Sequence, residues 1–209
     1  MNRNEQESCQ VLTDDCNIAY KDYHSFIINY FRSQFDGSNS VHSPSLNSTL
    51  AQPYQQGLLI DIHGQTHPEE RIELGYYINP ADLNTPLVPL SNTLNNTINK
   101  LRELNGNKFS VDEIIRGANV SLGGILLKKF GLKACPSPTE NPGTSKYFRG
   151  GFTVQTYGSY YASKFNMNAI QIELPSSMRQ TANYSVYALN IASAIYDFYF
   201  IHSLENLLL

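Results

Sequence analysis

Tryptophan is missing from this 209-residue chain, and charged residues make up only 16% of it. The net charge is −3 and no block of Lys or Arg occurs, which removes nucleic acid as a default partner. The three cysteines, Cys9, Cys16 and Cys135, form no CxxC pair and so suggest neither a zinc knuckle nor a disulfide framework. No apolar run approaches the roughly 20 residues that a membrane span needs, so no membrane segment is expected. The polar start, Met-Asn-Arg-Asn-Glu-Gln-Glu-Ser, has no apolar signal-peptide core. A cytoplasmic protein is therefore expected, and a secreted one only with a longer amino terminus. There is no Gly-x-Gly-x-x-Gly, Walker-type Lys or Gly-x-Ser-x-Gly elbow. Phosphate cradling and serine hydrolysis thus have little support, and no Cys stands beside a His to suggest a cysteine hydrolase.

What remains is sufficient for one domain. Hydrophobic residues are 41% of the chain, and 14 Tyr with 10 Phe provide bulky side chains for core and pocket walls. Asn-x-Ser/Thr acceptors occur at Asn47, Asn95, Asn119 and Asn183; they matter only in a secretory pathway. Residues 1–16 read as disordered and 17–209 as the domain. An amphipathic helix is expected from Asn17, on the spacing of Ala19, Tyr23, Phe26, Ile27, Tyr30 and Phe31, followed by a loop over 37–56.

Further along, strands are expected at Gly57–His63, Ile72–Ile78, Phe152–Gly158 and Ala169–Leu174. Helices are expected on the Leu94–Leu104 stripe, after the Ser110–Glu113 capping box, over Val120–Phe130 and over 182–206. The last helix is expected to group Val186, Leu189, Ile195 and Phe198 on one face. Residues 80–89 and the Pro-rich 134–145 read as loops. Strands alternating with helices point to α/β layers around a mixed sheet.

The chemistry concentrates after the uncharged run Gly57–Ile60, which ends in Asp61, Ile62 and His63. His67, Glu69, Glu70 and Arg71 follow within eight residues. In open α/β sheets, ligands bind beyond the carboxyl ends of strands. Asp61 can equally be a strand-end cap and His63 a satisfied core histidine, but Gly64 permits close approach of backbone to a ligand. His63, His67 and Glu70 have spacings that suit zinc on a helix, although His-x-x-Glu arises often by chance.

Glu173 shares a strand face with Gln171, opposite Ile170 and Ile172. A carboxylate in an apolar strand is costly to bury unless paired or shifted in pKa, a situation favoured for general bases; an edge strand with a wet polar face is the other reading. Arg71 and Arg179 are candidates for a substrate carboxylate, which guanidinium matches bidentately. Arg149 reads as a surface arginine. Gly150-Gly151 suggests a loop that passes close to something.

Taken in order, several short segments resemble the N-formylglutamate amidohydrolase family. They are Tyr23-His24, Gly57-Leu-Leu-Ile-Asp-Ile-His-Gly64, His67-Pro68 with Arg71-Ile-Glu-Leu-Gly-Tyr76, Ser121-Leu-Gly123 and Pro136-Ser-Pro138. Tyr147-Phe148 with Gly150-Gly151, Tyr157-Gly-Ser159 and Ile170-Gln-Ile-Glu-Leu174 complete the set, which spans residues 18–204. The resemblance implies a three-layer α/β/α fold with a mixed, mostly parallel sheet, like that of zinc carboxypeptidases and aspartoacylase. It implies one Zn2+, with His63 as the later metal ligand and Glu173 as the carboxylate that activates water. Zinc in such enzymes lowers the pKa of bound water toward ~7 and polarises the acyl carbonyl.

The expected substrate is a small N-acyl amino acid, held through Arg71 and Arg179. The family's early metal-binding His has no counterpart among the five histidines, at 24, 42, 63, 67 and 202. The chain is therefore expected to be an amino-terminally truncated hydrolase that binds zinc weakly or not at all, with His67 and Glu70 as the only local substitutes. The alternative is a non-catalytic binding or interaction protein that keeps the scaffold.

Overall fold

A computed structural model describes residues 25, 57–85, 89–160, 167–180, 182 and 184–203. The helix expected from Asn17 and the loop over 37–56 lie outside them, residue 25 excepted, which is helical and exposed. Among the described residues four strands form one mixed sheet in the order β1-β4-β2-β3. These are β1 (Leu58–Gly64), β2 (Ile72–Gly75), β3 (Ala134–Cys135) and β4 (Asn168–Leu174). β1 pairs with β4 and β2 with β3 in parallel, whereas β4 and β2 run antiparallel. The chain is thus an α/β protein with a mixed, mostly parallel sheet.

β4 lies inside the sheet, between β1 and β2, and not at an edge. Its near-continuous burial fits the largely apolar Asn168-Ala-Ile-Gln-Ile-Glu-Leu174; Gln171 and Glu173 share one face, and Asn168, on the other, accepts from the Leu101 amide and donates to the Gly57 carbonyl. Ile170 and Ile172 join Ile72 and Leu74 in a core that also takes Leu101, Leu122, Leu126, Ile191 and Phe198. The helices are α1 (Pro80–Leu83), α2 (Asn99–Leu104), α3 (Val111–Arg116), α4 (Leu122–Phe130), α5 (Phe152–Tyr157) and α6 (Tyr184–Ser203). Helix α6 packs on α4 and α2, and α5 packs on β4 and β1.

Local chemistry sets these boundaries. The capping box is present: Ser110 Oγ accepts from the Glu113 amide, and the Glu113 carboxylate accepts from the Ser110 amide. Those bonds hold the Glu113 carboxyl below its ordinary range. Ser121 caps α4 by accepting from the Gly124 amide, and Gly131, at φ 65°, ends it in the left-handed region that glycine enters without strain.

Five expectations are corrected. The stretch 134–145, read as a loop, opens with the strand β3, which pairs with β2 just before Pro136. Phe152–Gly158 is not a strand but α5. Its apolar residues fit both periods, and packing of Val154 and Tyr157, three apart and both fully buried, selects the helix. The Leu94 stripe becomes helical only from Asn99, because Asn96 ties back the preceding turn by accepting from the Ile98 amide. The loop over 80–89 begins with the short helix α1, where Pro80 suits a first turn.

In α6 the buried stripe is Ile191, Ala194, Phe198 and His202, while Val186 and Leu189 are 60% and 69% exposed. That helix is apolar nearly all round, so its pattern does not select a face. The buried register predicts that Phe198→Ala costs about 3–5 kcal/mol and Leu189→Ala less than ~0.5 kcal/mol in urea denaturation. Equal losses would contradict it.

Candidate functional site

Strand pairing brings the chemistry together. In the β1/β4 register Asp61 lies opposite Gln171 and His63 opposite Glu173. In the β4/β2 register Glu173 lies opposite Glu73. Because paired residues share a sheet face, one face carries the row His63, Glu173, Glu73 across three adjacent strands, with Asp61 and Gln171 behind it. The row sits at the carboxyl end of the parallel β1/β4 pair, where ligands of open α/β sheets bind.

Each member is held. His63 Nε2 is 3.1 Å from Asp61 Oδ2, and His63 Nδ1 is 3.8 Å from Glu173 Oε1. Gln171 donates to Glu173 Oε1 at 2.7 Å and accepts at 2.8 Å from the Gly151 amide. Burial pushes the Glu173 carboxyl above its ordinary range; the His63 imidazole and the Gln171 bond offset part of that, and the carboxylates of Glu73 and Asp61 add to it. Glu173 is thus a buried acid with its proton held more tightly than usual, next to an imidazole that remains one-quarter exposed.

The third member, Glu73, is not among the residues that the sequence pattern brought forward. It is fully buried; its Oε1 lies 2.9 Å from His67 Nδ1 and its Oε2 accepts from the Phe148 amide at 2.8 Å. The signal was available, since Ile72-Glu-Leu74 is another carboxylate inside an apolar strand. His67 is fixed further by its amide bond to Gln65 Oε1 and by stacking on Phe148 at 4.8 Å and 17°.

The loop that supplies Phe148 and Gly151 does pass close to backbone. A Cβ on Gly75 would stand 2.5 Å from the Gly150 nitrogen, and Gly150 itself has φ 107°. Gly75→Ala therefore displaces the segment that orients both Glu73 and Gln171.

The other candidates lie elsewhere. Arg71 is buried and turned to Glu140 Oε2 at 3.3 Å and to the Asn141 carbonyl at 3.5 Å. Arg179, exposed, covers Gly64 and donates to the carbonyls of Gln65 (2.9 Å) and Leu174 (3.2 Å) and to Ser176 Oγ. It stands at the carboxyl ends of β1 and β4; Arg71 does not. Glu70 accepts from Ser177 Oγ at 2.6 Å, apart from His67. Burial pushes the Cys135 thiol up to about 12, which leaves no thiolate at neutral pH.

Among the described residues no group of three His, Cys, Asp or Glu is placed to hold a metal ion, and both nitrogens of His63 face carboxylates. The described donors therefore do not by themselves fit a zinc site. His24 and His42 lie outside the described residues. No helix among the described residues is long and apolar enough to cross a membrane. No family model, characterised protein or solved structure matches the chain significantly.

The raised Glu173 carboxyl has a consequence for stability. The fold favours its protonated form, while the unfolded chain loses that proton at lower pH, so its contribution is present at low pH and declines as pH rises through the folded value. Glu173→Gln removes this decline. The Tm of the variant relative to wild type should increase between about pH 4 and about pH 8, measured by thermal melting. A difference that stays constant or shrinks would contradict the buried, raised carboxyl.

Proposed function

We propose that this chain is a hydrolase of the amide bond in a small N-acyl amino acid, similar to the N-formylglutamate amidohydrolases. Glu173 is its proton-transfer group. The observation that carries the proposal is the shared-face register of His63 and Glu173 at the end of a parallel strand pair. The mixed, mostly parallel sheet supports the same proposal's three-layer, zinc-carboxypeptidase-like fold. Zinc belongs to it only through the resemblance.

In that reaction Glu173 takes a proton from water as the water oxygen bonds to the acyl carbon. It then returns that proton to the amide nitrogen as the C–N bond breaks, leaving a carboxylic acid and a free amino acid. A carboxyl raised by burial suits both halves, being a stronger base when ionised and still an acid once protonated. His63, backed by Asp61, steadies the ionised form that begins the first half and is restored by the second. Arg179 stands where it can take the substrate's α-carboxylate with its unused N–H groups. Arg71, away from the carboxyl ends of β1 and β4 and paired through one nitrogen with Glu140, is the weaker candidate.

The test is formate release from N-formyl amino acids, with and without added zinc, by wild type and Glu173→Gln. Turnover that falls about 10²-fold or more in the variant, with the fold retained by circular dichroism, is expected. Equal turnover by both proteins would overturn the role of Glu173. The second reading, a non-catalytic binding protein, is favoured by the lack of a three-donor group among the described residues. It expects N-acetyl amino acids to bind in titration calorimetry equally to wild type and Glu173→Gln, with no turnover in any zinc condition.

A further inference from the structure

Phe148 stands out near the row for being both exposed and tied down. It is a large apolar group that remains 45% exposed, yet it is held from three directions. Its amide donates to the buried Glu73, and its ring stacks on His67, which is in turn bound to Glu73. The Gly75–Gly150 approach pins the chain two residues later. The ring stacks on His67 and is not among the side chains that pack on the main core. Fixed aromatic surfaces with few torsions are what binding sites use for apolar contact at low entropic cost.

The place of the ring matters as much as its rigidity. Glu73, which holds it, is the β2 neighbour of Glu173, so the ring stands as an outer wall on the β2 side of the row. Arg179 stands at the carboxyl ends of β1 and β4. An N-acyl amino acid with its α-carboxylate on Arg179 and its amide at Glu173 has its side chain left to be placed. The floor of the row carries Asp61, Glu73 and Glu173, which disfavours a second carboxylate. Lys146, exposed two residues before Phe148, and Arg71, whose Nε and Nη2 are buried without a hydrogen-bond partner, are cations that would argue the other way.

We infer that Phe148 is a specificity-determining residue and that the substrate is an N-acyl amino acid with an apolar or aromatic side chain, packed against its ring. The inference rests on the hydrolase reading. It is tested with N-formyl derivatives of leucine, phenylalanine, glycine and glutamate. Wild type should prefer N-formylleucine and N-formylphenylalanine over N-formylglycine by about 10-fold or more in kcat/KM, the scale of a filled apolar subsite.

Phe148→Ala should bring that ratio close to one, mainly through KM, and Phe148→Leu should restore much of it. Melting curves for both variants separate a lost wall from a lost fold. Preference for N-formylglutamate, abolished by Lys146→Ala, would overturn the inference while leaving the hydrolase reading intact. So would equal loss on all four substrates in Phe148→Ala. If wild type turns over none of them, the hydrolase reading falls. The wall is then read by calorimetry, as tighter binding of N-acetylleucine than of N-acetylglycine that is lost in Phe148→Ala; equal affinities would overturn it.

Discussion

Placing an ionisable carboxyl in the middle strand of a sheet costs several kcal/mol unless neighbours compensate. Glu173 is in that position, with Gln171 donating to it and His63 beside it. The compensation depends on one non-local constraint, the parallel pairing of β1 with β4 in the register that sets His63 opposite Glu173. A one-residue slip would turn every side chain of β1 to the other face. It would put Ile62 against Glu173 and turn Asp61 and His63 to the face from which Leu58 and Ile60 pack on the core. Ile60, Ile170 and Ile172 on the opposite face make such a slip costly, so the apolar core holds the register that the polar row uses.

The row is also tied to segments far away in sequence. Glu73 receives the Phe148 amide, Gln171 receives the Gly151 amide, and the two glycines Gly75 and Gly150 allow the backbones to come that close. Arg179 closes the other end, fastening Gln65 and Leu174 just beyond the paired strand ends. Each tie joins a side chain to a backbone amide or carbonyl, and so fixes the row or its margin to the main chain.

Much of this could be read from the residues alone. Asp61 and His63 at the end of an uncharged run, and Glu173 on the face opposite Ile170 and Ile172, are period-2 statements that any half-polar strand makes. What could not be read is the pairing that brings residues 110 positions apart into contact, since a strand does not name its neighbour. Glu73 is masked by the more conspicuous charges at 67–71, though its apolar flanks carry the same signal as those of Glu173. Short segments such as 152–157 satisfy two periods at once, and α6 satisfies none sharply, so tertiary packing decides both. Arg71 was legible as a cation but not as one paired with Glu140, 69 positions away.

The central claim is that Glu173 is a buried carboxyl whose proton is held tightly and whose charge is eased by His63. The direct measurement is a carboxyl 13C NMR titration of Glu173 in wild type and in His63→Ala. A midpoint above the ordinary glutamate range, moving higher still when the imidazole is removed, is the expected result. A midpoint in the ordinary range that His63→Ala leaves in place would contradict it.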